Sequence, residues 1–344
     1  HALRTAPPDR IAHGLIHPAL YALAHGLHAG DDRVCTLAPP GGPPGGCRWP
    51  LARGLAPRTA PAPAAPPPMA SRAGTCTLPL PRRQRPGSYP GLEAAVARGA
   101  DLITLTHMPN SLGTLQPVAE IGRIARRYGC LYHVNAASTV GMVPIDVRRI
   151  GCDFLTASGR KYLRGPTGTG FLHVRRQLLS ALRPPHLGWY NGEWDWEGNR
   201  FFPSPAGERF TPGEPSFPNF IGLGRAVLEL EREGGVGKAW ARMTELLGRL
   251  LDGMASIAGV EVYGPGGVGG RGAMVSFNLR GQDPGAVARK LRTAGIIVEA
   301  GNFLCPGPLK LYGQREVVRI CVHSSNREEE LDEALAALKR ISLG

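Results

Sequence analysis

The sequence predicts an α/β protein, with a large domain built on a mainly parallel sheet flanked by helices and a smaller α+β domain at the C-terminal end. Three observations carry this. From Leu92 to Val174, apolar runs of strand length alternate with segments of helical spacing. Those runs are apolar at successive positions, as in parallel strands covered by helices on both faces. From about residue 236 the order becomes strand, strand, helix, strand, strand, helix, a compact mixed unit. The domains expected are therefore residues 91–235 and 236–344, preceded by residues 1–90, which are hard to read.

In chain order, Leu92 to Arg98 reads as a short helix, Asp101 to Thr106 as a strand, and Pro117 to Tyr128 as an amphipathic helix with Val118, Ile121, Ile124 and Ala125 inward. Strands follow at Cys130 to Val134, Asp153 to Ala157 and Gly168 to Val174, with a helical turn at Asp146 to Ile150. Pro184 to Phe202 holds Trp189, Tyr190, Trp194, Trp196, Phe201 and Phe202, read as a packed connector or dimer contact in preference to a substrate-pocket wall. Helices are expected from near Asn219 and from Val236 to Ile257. The C-terminal unit has strands at Val260 to Tyr263, Ala273 to Leu279, Ile296 to Glu299 and Val317 to Val322, and helices at Pro284 to Ala294 and Arg327 to Ile341. Gly264 to Gly272 reads as a hairpin loop.

Residues 1–90 break the pattern. Ile11 to Leu27 has helical spacing, and Gly30 to Val34 reads as a turn into a strand. From Pro39 to Pro90 the chain is rich in Pro, Ala, Gly and Arg, a composition that predicts no buried strand or helix but a disordered or polyproline segment. Regular alternation resumes abruptly at Gly91, as it would if residues near 38–88 were a frameshifted translation of a GC-rich gene.

Composition narrows the function classes. The chain has 40 Lys plus Arg against 27 Asp plus Glu, a net charge of +13. The excess is heaviest among the proline- and glycine-rich first ninety residues, without interleaved aromatics, which argues against nucleic-acid binding. Seven scattered cysteines with no C-x-x-C pair argue against a disulfide framework or a metal site. No window is apolar enough to span a membrane. No signal peptide is read in a chain that opens at His1, and a cytoplasmic location is expected.

Only five of the 40 basic residues are lysines, and Lys161 is the only one before Lys238. Arginine keeps its proton, whereas a desolvated lysine can become a neutral amine and attack a carbonyl. Lys161 lies in Ala157-Ser158-Gly159-Arg160-Lys161-Tyr162-Leu163-Arg164-Gly165-Pro166-Thr167-Gly168-Thr169-Gly170, a glycine-rich turn between two strands. Such a turn exposes main-chain N–H groups and lets a ligand approach closely, which suits a phosphate. The alternative is a surface lysine in a loop.

Here the chain resembles the pyridoxal-phosphate enzymes of the class V aminotransferase and cysteine desulfurase group. Ser158, Lys161, Gly165, Pro166, Gly168 and Gly170 match its Ser-x-x-Lys and Gly-Pro-x-Gly-x-Gly pattern. Thr106 to Pro117 is similar to its H-V-x-N-E-x-G-T-x-Q-P segment, and Tyr132 to Ser138 to its H-V-D-A-x-Q strand end. The resemblance runs from about Leu92 to Leu343 and implies a fold type I enzyme acting on an amino acid as a homodimer. It implies Lys161 as the Schiff-base residue, Asn110, Asn135, Ser138, Ser158 and Arg160 around the cofactor, and Arg319 as the clamp for the substrate carboxylate, work for which guanidinium is shaped.

The chain departs from the family pattern at several places. Asn135 stands where an aspartate keeps the pyridine nitrogen protonated, so the electron sink should be weaker. Ser138 replaces a glutamine, Arg160 a histidine, and Glu214 a threonine that reaches the phosphate of the partner subunit. Neither the family's Gly-Thr phosphate loop nor its ring-stacking histidine is found in residues 1–90. Cys305 lies about where desulfurases carry a sulfur-accepting cysteine, on what reads as a mobile loop, but with one flanking residue extra, and a cysteine near a strand end is more often a small hydrophobe. Desulfuration, carbon-sulfur lysis, transamination and epimerisation stay open, beside an impaired relative that keeps only the scaffold.

Overall fold

The computed structural model describes residues 34–37, 75–77 and 89–343. The first part of the chain holds β1 (Val34–Leu37), β2 (Thr75–Thr77), α1 (Pro90–Ala97), β3 (Leu102–Thr106), α2 (Val118–Arg127), β4 (Leu131–Asn135), α3 (Val147–Ile150), β5 (Phe154–Ser158) and β6 (Gly170–Val174). Its strands form one sheet in the order β2-β1-β3-β4-β5-β6. All neighbours are parallel except β6, which runs antiparallel to β5. The Ile11 to Leu27 helix and nearly all of the 38–88 segment lie outside the described residues, and so does any test of a frameshift. Within that segment Thr75–Thr77 forms an edge strand, so these three residues are not the disordered or polyproline chain that the composition predicts. Two β-branched residues around Cys76 suffice for three ladder positions.

The central strands are buried on both faces. Ile103, Leu105, Tyr132, Val134, Leu155 and Ala157 are at most 1% exposed. The polar residues between them satisfy one another: His133 Nδ1 lies 2.6 Å from Thr104 Oγ1, and its Nε2 lies 3.1 Å from Thr156 Oγ1. Helix α2 presents Val118, Ile121, Ile124 and Ala125 to the sheet, the i, i+3, i+6, i+7 stripe its sequence spells out. Asp146 caps α3, accepting from the N–H groups of Arg148 and Arg149.

Two strands, β7 (Gly192–Asp195) and β8 (Arg200–Pro203), form an antiparallel ribbon from the aromatic segment. Trp194 packs against Trp196 and Phe201, but Trp189 and Trp196 are 97% and 84% exposed. The connector is thus only partly packed within the chain. The following helix α4 (Phe217–Arg232) buries Leu230 alone and leaves Phe217, Ile221 and Leu228 exposed.

The C-terminal unit comprises α5 (Gly235–Ala255), β9 (Val260–Tyr263), β10 (Met274–Leu279), α6 (Pro284–Thr293), β11 (Glu299–Gly301), α7 (Pro306–Lys310), β12 (Val317–Cys321) and α8 (Glu328–Leu343). Its antiparallel sheet has the order β11-β12-β10-β9. Strand β11 starts three residues later than the sequence suggested. The N–H groups of Gly295 and Ile296 still close the end of α6 on Arg292 and Leu291, so the chain is not free to extend until later. Met108, Met142, Val143 and Leu163, from the part that holds the parallel sheet, join Met243, Leu246, Leu250 and Phe277 in one apolar cluster. That shared core fixes the two units against each other and brings β12 to the carboxyl ends of β3, β4 and β5. No helix among the described residues is long and apolar enough to cross a membrane.

Candidate active site

Register puts the ends of the central strands level, with Thr106 opposite Asn135 and Asn135 opposite Thr156. The carboxyl ends of parallel strands are where such sheets receive ligands. Asn135 and Ser158 close β4 and β5, and Lys161 stands on the turn three residues beyond Ser158. Gly141 packs directly on this turn. At φ +83° a Cβ there would come within 2.6–2.7 Å of the Tyr162–Leu163 main chain, so only glycine lets the turn sit where it does.

Lys161 Nζ donates to Ser138 Oγ at 2.7 Å, and Ser138 Oγ in turn donates to Asn110 Oδ1 at 3.2 Å. Burial lowers the lysine pKa from its ordinary value, and the Arg160 and Arg319 cations lower it further. The amine is therefore half-desolvated, surrounded by positive charge and hydrogen-bonded to a hydroxyl, the setting that makes a lysine nucleophilic. A surface-loop lysine has none of these features.

Arg319 arrives from β12. It donates to the Asn110 carbonyl at 3.0 Å, and its guanidinium lies 3.9 Å from the centroid of the Phe303 ring. Asn110 thus receives Ser138 on its side chain and Arg319 on its main chain. Asn135 Oδ1 accepts from the Ala137 N–H at 3.1 Å. Its oxygen is occupied, leaving the amide NH2, an uncharged donor, as the group it can offer a ligand. Arg160 is exposed beside the lysine, and Ser158 is half-buried at its strand end.

Cys305 ends the turn that follows β11, and the Pro-Gly-Pro stretch after it is helical. The cysteine is half-buried at the N-cap position of α7, where Pro306 opens the helix and Leu309 is wholly buried. Proline at the first helical position is preorganised for helix, and that is why a Pro-Gly-Pro stretch did not stay a loop. Burial pushes the Cys305 thiol up, while Ser111 and the main chain of Ser111 and Asn110 pull it back toward the anion.

Other residues at the site went unnoticed in the sequence. Cys321 lies two residues from Arg319 on the same face of β12. Its thiol is raised by burial, while Arg319 and Lys161 oppose that rise. The strand period of two was the available signal. The Tyr162 and His323 rings stack with centroids 5.9 Å apart, and the Tyr162 hydroxyl donates to the Ala273 carbonyl at 3.2 Å. Behind the strand ends, His107 Nδ1 pairs with Thr139 Oγ1 at 2.9 Å, and burial lowers its pKa to about 4.

A model of the aminotransferase class-V family matches residues 72–334, most of the chain. A protein described as a probable cysteine desulfurase from Methanothermobacter thermautotrophicus is 38% identical over 248 residues, covering 70% of this chain and 60% of that one. The apo structure of a cysteine desulfurase from Thermococcus onnurineus NA1 superposes with a TM-score of 0.68 at 30% identity, covering 73% of this chain and 63% of that one. A structure of C-DES with glycine covalently linked to its PLP cofactor shares the fold, with a TM-score of 0.63 at 23% identity over 72% of this chain and 63% of that one. The chain therefore spans about 60% of the length of the relatives it matches.

Proposed function

The chain belongs to the class V aminotransferase family, and from that premise we propose that it is a pyridoxal-phosphate enzyme of cysteine-desulfurase type acting on a small amino acid. The observation that carries this reading is the desolvated Lys161 amine, bonded to Ser138 and facing Arg319. The residues present fit the cofactor. Lys161 would hold it covalently, with Ser138, Asn110 and Ser158 as uncharged polar neighbours, Asn135 as the donor to the ring nitrogen and Arg160 as a nearby cation. When bound, pyridoxal phosphate supplies an electron sink for bonds broken at the substrate α-carbon.

The chain's own residues do the rest. Arg319, held by Asn110 and Phe303, binds the substrate carboxylate and so orients the α-carbon. The Lys161 amine, whose pKa is lowered by burial and by the Arg160 and Arg319 cations, would take and return the α-proton. Cys305 receives the substrate sulfur. Cysteine as substrate is favoured by that thiol and by the relatives described as desulfurases, while transamination, lysis and epimerisation are the reactions left if it fails. Residues 91–235 and 236–344 are the two domains of this reading.

We also infer a homodimer, supported by the exposed aromatic ribbon and by the exposed Phe217, Ile221 and Leu228 of α4, and a reducing cytoplasm, supported by the free thiols of Cys130, Cys152, Cys305 and Cys321. The test is to add pyridoxal phosphate to purified protein, reduce with borohydride and map the label. Fixation on Lys161, with sulfide and alanine released from cysteine, supports the proposal. A protein that gains no near-visible band and no label overturns it.

A further inference from the structure

The buried Ser138 hydroxyl has a single proton, and its two neighbours decide where that proton points. Ser138 Oγ donates to Asn110 Oδ1 at 3.2 Å, while Lys161 Nζ donates to Ser138 Oγ at 2.7 Å. Toward the lysine, Ser138 is therefore an acceptor only. An ammonium and a neutral amine can both donate to it, so the bond survives loss of the lysine proton. The neutral amine then keeps its lone pair directed away from Ser138 and open to an incoming carbonyl. Without the Asn110 oxygen, the hydroxyl's best remaining partner is that lone pair itself. An amine capped in this way must break a hydrogen bond before it attacks.

Asn110 is held firmly enough to set this direction. Its loop is closed by the Gln116 N–H on the His107 carbonyl at 2.8 Å. Two more bonds tie it to the C-terminal unit, from Leu115 N–H to the Gly270 carbonyl and from Gly272 N–H to the Gly113 carbonyl, both at 2.8 Å. Leu112 packs with Tyr263, Leu309 and Val317, and Arg319 donates to the Asn110 carbonyl at 3.0 Å. None of these contacts uses the Asn110 side chain, so its amide can be replaced while the loop keeps its anchors.

We propose that Asn110 is a positioning residue for Lys161: acting through Ser138, its amide oxygen fixes the direction of the hydroxyl proton and leaves the lysine lone pair free. The inference deepens the cofactor reading and rests on Lys161 as the amine that receives the cofactor carbonyl. It concerns the amine before any cofactor arrives, so it is measured without turnover.

The experiment is pulse acetylation of the full chain with acetic anhydride from pH 6 to 11, after hydroxylamine has removed any pyridoxal phosphate. Peptide mapping follows Lys161, with Lys238 as the internal reference. Asn110→Ala should lower the limiting high-pH rate at Lys161 roughly fivefold, the effect of one hydrogen bond on the nucleophile, and leave Lys238 unchanged. Asn110→Asp keeps an acceptor, so its limiting rate should match the wild type while the added negative charge moves the midpoint upward. Ser138→Ala has no hydroxyl to turn, so adding Asn110→Ala to it should lower the rate no further. Asn110→Leu keeps the bulk and serves should the alanine variant not fold. An unchanged limiting rate without the Asn110 oxygen overturns the proposal. So does an equal fall in the Ser138→Ala background, because a merely structural role would not depend on the hydroxyl. Failure of the cofactor reading shows separately, as no borohydride-fixed label on Lys161 of the wild type, and leaves the acetylation profile to be judged by itself.

Discussion

The Arg319 guanidinium lies 3.9 Å over the Phe303 ring, and Phe303 holds a left-handed backbone at φ +55° just two residues before Cys305. Leu304 follows at φ +56°, so two successive residues with side chains sit where glycine is preferred. The stacked ring is a physical reason for the first of them. It ties Arg319, the proposed carboxylate clamp, to the segment that carries Cys305.

Removing the ring should therefore weaken substrate binding before it weakens chemistry. A cation–π contact at a partly exposed site contributes about 0.5–1 kcal/mol. Phe303→Ala should raise KM roughly two- to fivefold with kcat little changed, and Phe303→Tyr should behave as wild type. Steady-state kinetics check this, and a fall in kcat alone would mean that the ring serves the cysteine instead of the clamp.

Covalent cofactor attachment should depend on one lysine. Lys161→Ala should abolish the near-visible band and the borohydride-fixed label, whereas Lys238→Ala on α5 should leave both. Mass mapping of the reduced protein decides it, and label surviving in the Lys161 variant would sink the assignment.

Asn135 offers an uncharged donor where an acid would hold a proton on the ring. Asn135→Asp should raise α-proton exchange of a bound amino acid by roughly tenfold, since an added negative charge favours the protonated nitrogen. Deuterium wash-in followed by NMR measures it. Normal cofactor binding with no gain would show that the ring nitrogen is not limiting.

Persulfide chemistry separates the two thiols. With cysteine as substrate, Cys305→Ser should eliminate the protein-bound persulfide, and Cys321→Ser should preserve it. Tag-switch labelling with peptide mapping distinguishes them. Persulfide found only on Cys321 would move the sulfur role from α7 to β12.

Two histidines buried among the described residues set an acid limit on stability. His107 and His133 both have pKa values lowered to about 4 by burial, against an ordinary value of 6.5. The unfolded chain takes up protons below about pH 6.5 that the native one refuses until about pH 4, so stability is full above that window and falls through it. Each contributes about 3 kcal/mol across the window. His133→Gln should flatten roughly half of that slope in urea titrations between pH 7 and 4, and an unchanged slope would rule His133 out.

Much of this molecule was legible in local pattern. The stripe Val118, Ile121, Ile124, Ala125 fixes a helix face because its period is a property of the helix itself. The isolation of Lys161 among arginines singled out in the sequence the lysine on which the cofactor proposal rests. Local pattern misled where a neighbour made the decision. Pro306 to Pro308 read as a loop, but proline at a first helical turn and a buried Leu309 made it a helix, and β11 waited until α6 had used the N–H groups of Gly295 and Ile296.

The sequence by itself determined the kind of fold, the order of its elements and the lysine on which a cofactor reading rests, because periodicity, turn chemistry and residue type are local quantities. Only the tertiary structure decided which groups meet that lysine. Ser138, and Asn110 behind it, come from the segments after β4 and β3, and Arg319 and Cys321 from the C-terminal unit. The shared apolar core around Met142, Leu163 and Phe277 presses those segments together. Contacts such as Arg319 to Asn110, 209 residues apart, arise from that packing, and no spacing in the chain encodes them.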